Sequence, residues 1–188
     1  MNSSKIQDKL LILRLKKKDP EAFAQVYDLY VTSIYRFIYF KVSTRQDAED
    51  LTSEVFLKVW QYFSETEEVI ENLRALIYRV ARNLVIDFYR RNARTDFQYD
   101  ESILDSISDE RQQSFLGKVE TKLEMKNIEQ ILRQMKQDYR EVLILYYLEE
   151  LSVKEISNIL DKSKGSIRVL LHRALKVARE LFNQQNGK

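Results

Sequence analysis

Residues 151–179, LSVKEISNILDKSKGSIRVLLHRALKVAR, contain two helices and a turn in a single reading. Ser152 and Glu155 form an S-x-x-E capping box, in which each end of the pair satisfies one orphan amide of a helix start. The short helix that follows carries Val153, Ile156, Ile159 and Leu160 on one side, and a turn comes at Asp161–Ser163. Beyond it Ile167, Leu170, Leu171, Ala174, Ala178 and Leu181 line one side of a longer helix, with Arg168, His172, Lys176 and Arg179 opposite. From Lys162 to Arg179 there are six Lys or Arg and no acid, whereas an ordinary solvated face mixes Glu with Lys. This is the pattern of a helix-turn-helix, whose second helix enters the major groove with its early residues at base edges and its cations on phosphates. His172 has no partner ligand nearby, so a phosphate or base contact suits it better than a metal.

Upstream, Phe23, Val26, Tyr27, Tyr30, Ile34, Phe37 and Ile38 recur at helical spacing behind Asp19 and Pro20, an N-cap and a first-turn proline. The spacing predicts a second helix opening at Ser43 or Thr44, with Asp47 completing a capping box and Leu51, Val55, Val59 and Phe63 inward. It predicts a third from about Asn72 to Arg91, with Leu73, Leu76, Ile77, Val80, Ala81, Leu84, Val85 and Phe88 inward. A shorter helix over Lys5–Lys17 can pack on these three to close a bundle. Around 92–117 the periodicity fades into Asp, Glu, Ser and Gln, the composition of a solvated linker, with one apolar cluster at Ile103, Leu104 and Ile107. Periodicity returns with Leu123, Ile128, Ile131, Leu132 and Met135, and again after Asp138, where Glu141 stands in capping-box position ahead of Val142, Leu143 and Tyr146. The expected fold class is all-α: two small helical domains joined by a flexible acidic linker.

Composition narrows the chemistry. The 188 residues hold 31 Lys and Arg against 29 Asp and Glu, a net charge of +2, so any electrostatic function rests on local segregation. With no Cys and a single His, disulfides, thiol nucleophiles and most His-based metal sites are excluded, and 3 Gly and 1 Pro leave too few residues for a glycine-rich phosphate loop. No apolar run approaches the length that spans a bilayer, and the start lacks a signal-peptide pattern, so a cytoplasmic protein is expected, without membrane insertion. No cofactor, metal or catalytic residue is expected.

Charge segregates by helix. On the third helix Tyr78, Arg79, Arg82, Asn83, Tyr89 and Arg90 fall on the side away from the apolar stripe. Arginine interleaved with tyrosine suits single strands, where guanidinium groups follow phosphates and rings stack on bases; equally, Tyr78 and Tyr89 can be edge residues of the bundle core. The second helix is acidic, with Asp47, Glu49, Asp50 and Glu54, and repels DNA. With Phe56 and Trp60 it suits a basic protein partner, where aromatic anchors supply binding energy and charge sets orientation. Carboxylates diverging along one helix make a poor metal site.

The segments DAEDLTSEVFLKVW (47–60), YRVARNLVIDFYRR (78–91) and LSVKEIS to SKGSIRVLLHRAL (151–175), in that order around an acidic linker, resemble the extracytoplasmic-function sigma factors. The resemblance spans about Asp19 to Phe182. It implies residues 1–92 as a domain for polymerase docking, −10 recognition and melting, 93–120 as a linker threading toward the RNA path, and 121–188 as the −35 domain. The docking helix, which engages the clamp coiled coil of the largest subunit of RNA polymerase core, matches Asp47, Asp50, Leu51, Glu54, Phe56 and Trp60. The −10 helix and its preceding loop match Ser64–Asn72, then Arg74, Tyr78, Arg79, Arg82, Asn83, Asp87, Arg90 and Arg91. The −35 reader matches Ser163, Lys164, Ser166, Arg168, Val169, His172, Arg173 and Lys176. The resemblance also implies promoter DNA and an anti-sigma factor as partners. Leu76 stands where the family commonly has Trp, and Asp161 where a turn Gly is usual. Two other classes fit parts of the pattern: a stand-alone helix-turn-helix regulator with a sensing or dimerisation domain, and a magnesium enzyme built on the carboxylates at 47–54.

Overall fold

A computed structural model describes residues 3–66, 70, 72–92 and 122–186. Its first half comprises α1 (Ser3–Lys16), α2 (Pro20–Tyr39), α3 (Arg45–Glu65) and α4 (Leu73–Asn92). The second half comprises α5 (Lys122–Gln134), α6 (Gln137–Leu143), a π-helical turn (Ile144–Leu148), α7 (Val153–Leu160) and α8 (Lys164–Asn186). Among the described residues there is no strand. The linker, its Ile103–Leu104–Ile107 cluster and Leu123's side chain lie outside the described residues.

Helix starts follow local chemistry. The Asp19 carboxylate accepts the amides of Glu21 at 2.9 Å and Ala22 at 3.3 Å, and Arg14 reaches it at 2.8 Å. The Arg14 hydrogen bond, aided by those amides, holds the Asp19 carboxyl below its ordinary pKa. Thr44 caps α3, its hydroxyl accepting the Asp47 amide at 3.0 Å and donating to the Asp47 carboxylate at 2.6 Å. At α7 both arms of the Ser152–Glu155 box are formed. Glu141 departs from expectation: α6 starts after Lys136 with no side-chain cap, and Glu141 is buried. The spacing that resembled a cap belongs to a residue with distant partners.

In the first bundle Leu15, Val26, Ile34, Phe37, Ile38, Val55, Val59, Ile77, Ala81 and Val85 are fully buried. Each such large side chain contributes about 1.5–3 kcal/mol relative to exposure. The second closes around Ile144, Leu145, Leu151, Ile156, Ile167 and Ala174. Arg140 ties off the end of α5 by donating to the carbonyls of Leu132 at 2.7 Å, Arg133 at 2.8 Å and Met135 at 3.1 Å. Over the π-turn Tyr146 and Tyr147 project outward while Glu149 turns inward. The turn between α7 and α8 uses Asp161 at φ 52°, a left-handed conformation that short polar side chains tolerate. Ser157 clamps it, accepting the Lys162 amide on its carbonyl at 3.1 Å and donating its hydroxyl to the Lys162 carbonyl at 2.6 Å.

The two bundles meet along α4, which packs on α7. Polar groups close the rest of this junction.

Candidate functional site

The outer face of α8 is free. Ser163, Lys164, Ser166, Arg168, Val169, His172, Arg173 and Lys176 are all exposed, whereas Ile167, Leu171 and Ala174 are buried on the opposite side. Ser163 caps the helix by accepting the Ser166 amide at 3.1 Å, and the two hydroxyls lie 2.9 Å apart. Val169 is 51% exposed, placing an aliphatic group among the cations. Such a surface fits a groove edge: cations for phosphates, a valine for a thymine methyl, and a helix N-terminus for an anion.

On α3 the carboxylates of Asp47, Asp50 and Glu54 share one side. With Leu51 they border a cleft of about 280 Å³ whose other wall is Phe88, Arg91 and Asn92 at the end of α4. One expected anchor, Phe56, is corrected, and Leu51, matched to the docking helix by resemblance, is inward as its spacing predicts. Phe56 is only 3% exposed, its ring 4.7 Å from that of Tyr27, and Leu51 is 4% exposed. Both are core residues, because helical spacing from Val55 and Ala48 turns them partly inward. Trp60 is half-buried, edge-on to Phe23 at 4.9 Å. Leu57, three residues beyond Glu54 on the same side of α3, does stand outward at 56% exposure.

The α4 face differs most from expectation. Tyr78 is fully buried, edge-on to Phe37 at 5.4 Å, and its hydroxyl donates to Glu149 at 2.7 Å. It does not stand on the exposed side, so it cannot stack on a base as placed here. Burial, reinforced by the Glu149 charge, pushes its phenol far above the ordinary tyrosine range. Arg74 donates to the Glu149 carbonyl, Arg79 to the Asn158 carbonyl at 3.0 Å, and Arg82 to Glu141 at 3.2 Å. Asn83, Asp87, Arg90 and Arg91 remain exposed, with Arg90 and Asp87 3.7 Å apart. Tyr89 is half-buried and donates to the Lys41 carbonyl.

Sequence reasoning missed the groups across the junction. Glu149, with a side chain 0% exposed, is gripped by Arg36 at 2.6 and 2.8 Å. Glu141 pairs with Lys41, and both side chains are almost wholly buried. Burial holds the Lys41 amine below its ordinary pKa, with Glu141 opposing. Beside them the Tyr39 hydroxyl lies 3.4 Å from Glu129, and burial, then that charge, push its phenol up to about 12. A charged residue among apolar neighbours, as at Lys41 just past α2 and Glu141 within α6, was the available signal.

The Sigma-70 region 2 family model matches residues 26–95, and the Sigma-70 region 4 family model matches residues 125–177. The chain is 28% identical over 160 residues to the ECF RNA polymerase sigma factor SigM of Bacillus subtilis, covering 85% of this chain and 94% of that protein. It is 29% identical over 183 residues to SigW of the same organism, covering 90% and 93%. The chain belongs to the extracytoplasmic-function sigma factors.

It is also 30% identical over 173 residues to BldN of Streptomyces coelicolor, covering 92% of this sigma factor and 64% of BldN. The fold is that of CnrH, solved with the cytosolic domain of CnrY (TM-score 0.71, 18% identity, 94% and 97% of the two chains). It is likewise that of RpoE of Bartonella quintana, solved with the anti-sigma factor NepR (TM-score 0.69, 22% identity, 86% and 96%). In this sigma factor the region 2 match takes in the acidic face of α3 and all of α4. The region 4 match takes in the helix-turn-helix, Glu141 and Glu149. As a sigma factor it directs RNA polymerase to promoters, which disfavours the stand-alone regulator.

Proposed function

We propose that this sigma factor divides its work among three surfaces. Asp47, Asp50 and Glu54, bordering the α3–α4 cleft, dock the clamp coiled coil of the polymerase core. Exposed Ser163, Lys164, Ser166, Arg168, Val169, His172, Arg173 and Lys176 read the −35 duplex. Arg74, Arg79, Arg82, Asn83, Asp87, Arg90 and Arg91 on α4 hold the melted −10 strand. Residues 1–92 and 121–188 act as separate domains and 93–120 as their linker. The chain breaks no bond; melting is favoured because α4 binds separated strands better than duplex, and only differential affinity shifts that equilibrium. An anti-sigma factor restrains it in the cytoplasm, a reading supported by RpoE of the same fold, solved with such a partner. No helix among the described residues is long and apolar enough to cross a membrane.

The observation that carries this reading is segregation of sign: exposed cations without an acid from Lys162 to Arg179, and carboxylates without a cation between Asp47 and Glu54 on α3. Run-off transcription with purified core polymerase tests it. Asp50→Asn with Glu54→Gln, which spares Asp47 and its contact with Thr44, lowers core association and transcript yield while helicity is unchanged. Unaltered core association in that variant refutes the docking assignment.

A further inference from the structure

Three of the five α4 arginines assigned above to the melted strand are engaged by the second bundle in this structure, while Arg90 and Arg91 stay exposed. Arg74, Arg79 and Arg82 all donate into the second bundle, and Tyr78 does the same. Two carboxylates anchor that contact. Glu141 lies between Lys41 and Arg82, and Glu149 between Arg36 and Tyr78. Both are buried to within 3% or less of full enclosure, and both come from the segment just ahead of the helix-turn-helix. By contrast, every −35 candidate on α8 is exposed in the same structure.

We propose that Glu141 and Glu149 are an internal competitor for single-stranded DNA, latching the chain in a closed form in which the Arg74–Arg82 part of the −10 surface is engaged by the second bundle while the −35 surface is open. The Glu141 carboxylate on Arg82 occupies charge and donors that a backbone phosphate would use, and the Glu149 and Asn158 carbonyls take donors of Arg74 and Arg79, so latch and strand compete for this part of α4. Affinity for separated strands is then reduced by the fraction of molecules that are open. Linkage is reciprocal: any ligand that takes the α4 face opens the chain by the same factor that opening strengthens its binding. The proposal rests on the assignment of α4 to the melted strand, and its test separates the two.

The chain has no Cys, so a dye pair can be placed cleanly through Gln61→Cys on α3 and Asn183→Cys on α8, both exposed positions. Energy transfer is measured in the full chain and in Glu141→Gln/Glu149→Gln, with affinity for a mixed-sequence 20-nucleotide single strand read by anisotropy. The expected result is high transfer in the parent, low transfer in the variant, and a gain in strand affinity of about tenfold or more, as for a parent open less than about a tenth of the time. Asp28→Asn/Glu65→Gln makes the same charge change at exposed sites and should gain little. Arg36→Gln breaks the latch from the other side without touching α4 or either glutamate, and covers the case in which the double variant misfolds.

Equal transfer in parent and both latch variants overturns the closed form, whatever the strand does. An equal affinity gain in the charge control overturns competition in favour of simple electrostatics. Low transfer without an affinity gain overturns competition too. Permanganate footprints of promoter complexes made with Arg79→Ala and Asn83→Ala then decide the assignment separately: lost thymine reactivity keeps α4 as the strand holder and sinks the latch alone, whereas unchanged reactivity removes both.

Discussion

Lys41 and Glu141 stand 100 residues apart and meet with side chains 2% and 3% exposed, so a double-mutant cycle on this pair tests how the bundles are held. A buried ion pair contributes little beyond an apolar pair of similar size, because desolvation offsets the attraction. One half left alone is destabilising by about 3–5 kcal/mol. The structure makes the two single substitutions unequal. Glu141→Leu strands Lys41 against the Phe37 ring, 4.5 Å from its amine, with Arg82 as a like charge. Because burial already favours the neutral amine, the loss should fall at the lower end, about 3 kcal/mol. Lys41→Met leaves Glu141 with Arg82 at 3.2 Å, a group 26% exposed, and should lose about 1.5–3 kcal/mol, the range for a charged hydrogen bond. In Lys41→Met/Glu141→Leu, Arg82 turns to water and the net change is within about 1 kcal/mol of the parent. The single effects therefore sum to more than the double by about 3 kcal/mol or more, at the top of the usual coupling range. Urea unfolding is followed by far-UV circular dichroism and by the fluorescence of Trp60, the one tryptophan and a reporter on the first bundle. Undocking would let Lys41 rehydrate, so energy transfer is read on the same proteins. A docked Glu141→Leu variant that loses less than about 1 kcal/mol, or single effects that add to the double within about 0.5 kcal/mol, refutes the argument.

Other expectations concern single elements. Ser152→Ala removes the hydroxyl that accepts the Glu155 amide at 3.3 Å at the start of the eight-residue α7, and should cost about 1 kcal/mol, seen as a lower urea midpoint with unchanged slope. Gly165→Ala should stabilise by about 0.5 kcal/mol, since a Cβ there meets nothing nearer than the Ser163 hydroxyl at 3.8 Å and glycine is a poor helix former; a lower melting temperature would contradict this. Tyr39 and Tyr78 have folded pKa values raised above the ordinary 10.0, so their contribution is intact below pH 10 and is lost as pH rises, for Tyr39 through about 12. Tyr39→Phe should flatten the fall in stability between pH 10 and about 12, and an unchanged alkaline profile would show that the phenol is not protected.

Most of the helical framework was legible because it is local. Caps such as Asp19, Thr44 and the Ser152–Glu155 pair act within three residues, and apolar spacing acts within a turn or two. The outer face of α8 was legible for the same reason: a helix with one apolar side leaves no choice about which side is wet. The α3 face was half legible. Its acids were placed correctly on a surface and Leu51 inward, but Phe56 sits at the border of the apolar stripe, where a wheel cannot say whether α2 covers it.

The α4 face was legible in composition and illegible in state, and the physical reason lies in Glu141 and Glu149. A wheel sorts residues by the bundle they belong to; it cannot register a second bundle that arrives from 59 to 113 positions away, the separations of Arg82–Glu141 and Arg36–Glu149. Glu141 even offered a satisfactory local explanation as the end of a capping box, because Glu three residues after Asp138 fits that pattern wherever it occurs. What distinguishes the two roles is burial. A capping Glu stays at a helix end in water, while this one sits in the interior, where an unpaired carboxylate is not tolerated and a cation must be found. The cations in reach are those of α4 and its neighbours. A sequence rich in Lys and Arg but nearly neutral overall, +2 in 188 residues, must set many of them against its own acids. Near-neutrality therefore bears on access as well as solubility: an arginine such as Arg82 that suits a phosphate backbone also suits Glu141, and which of the two it holds is decided by whether the bundles are together or apart.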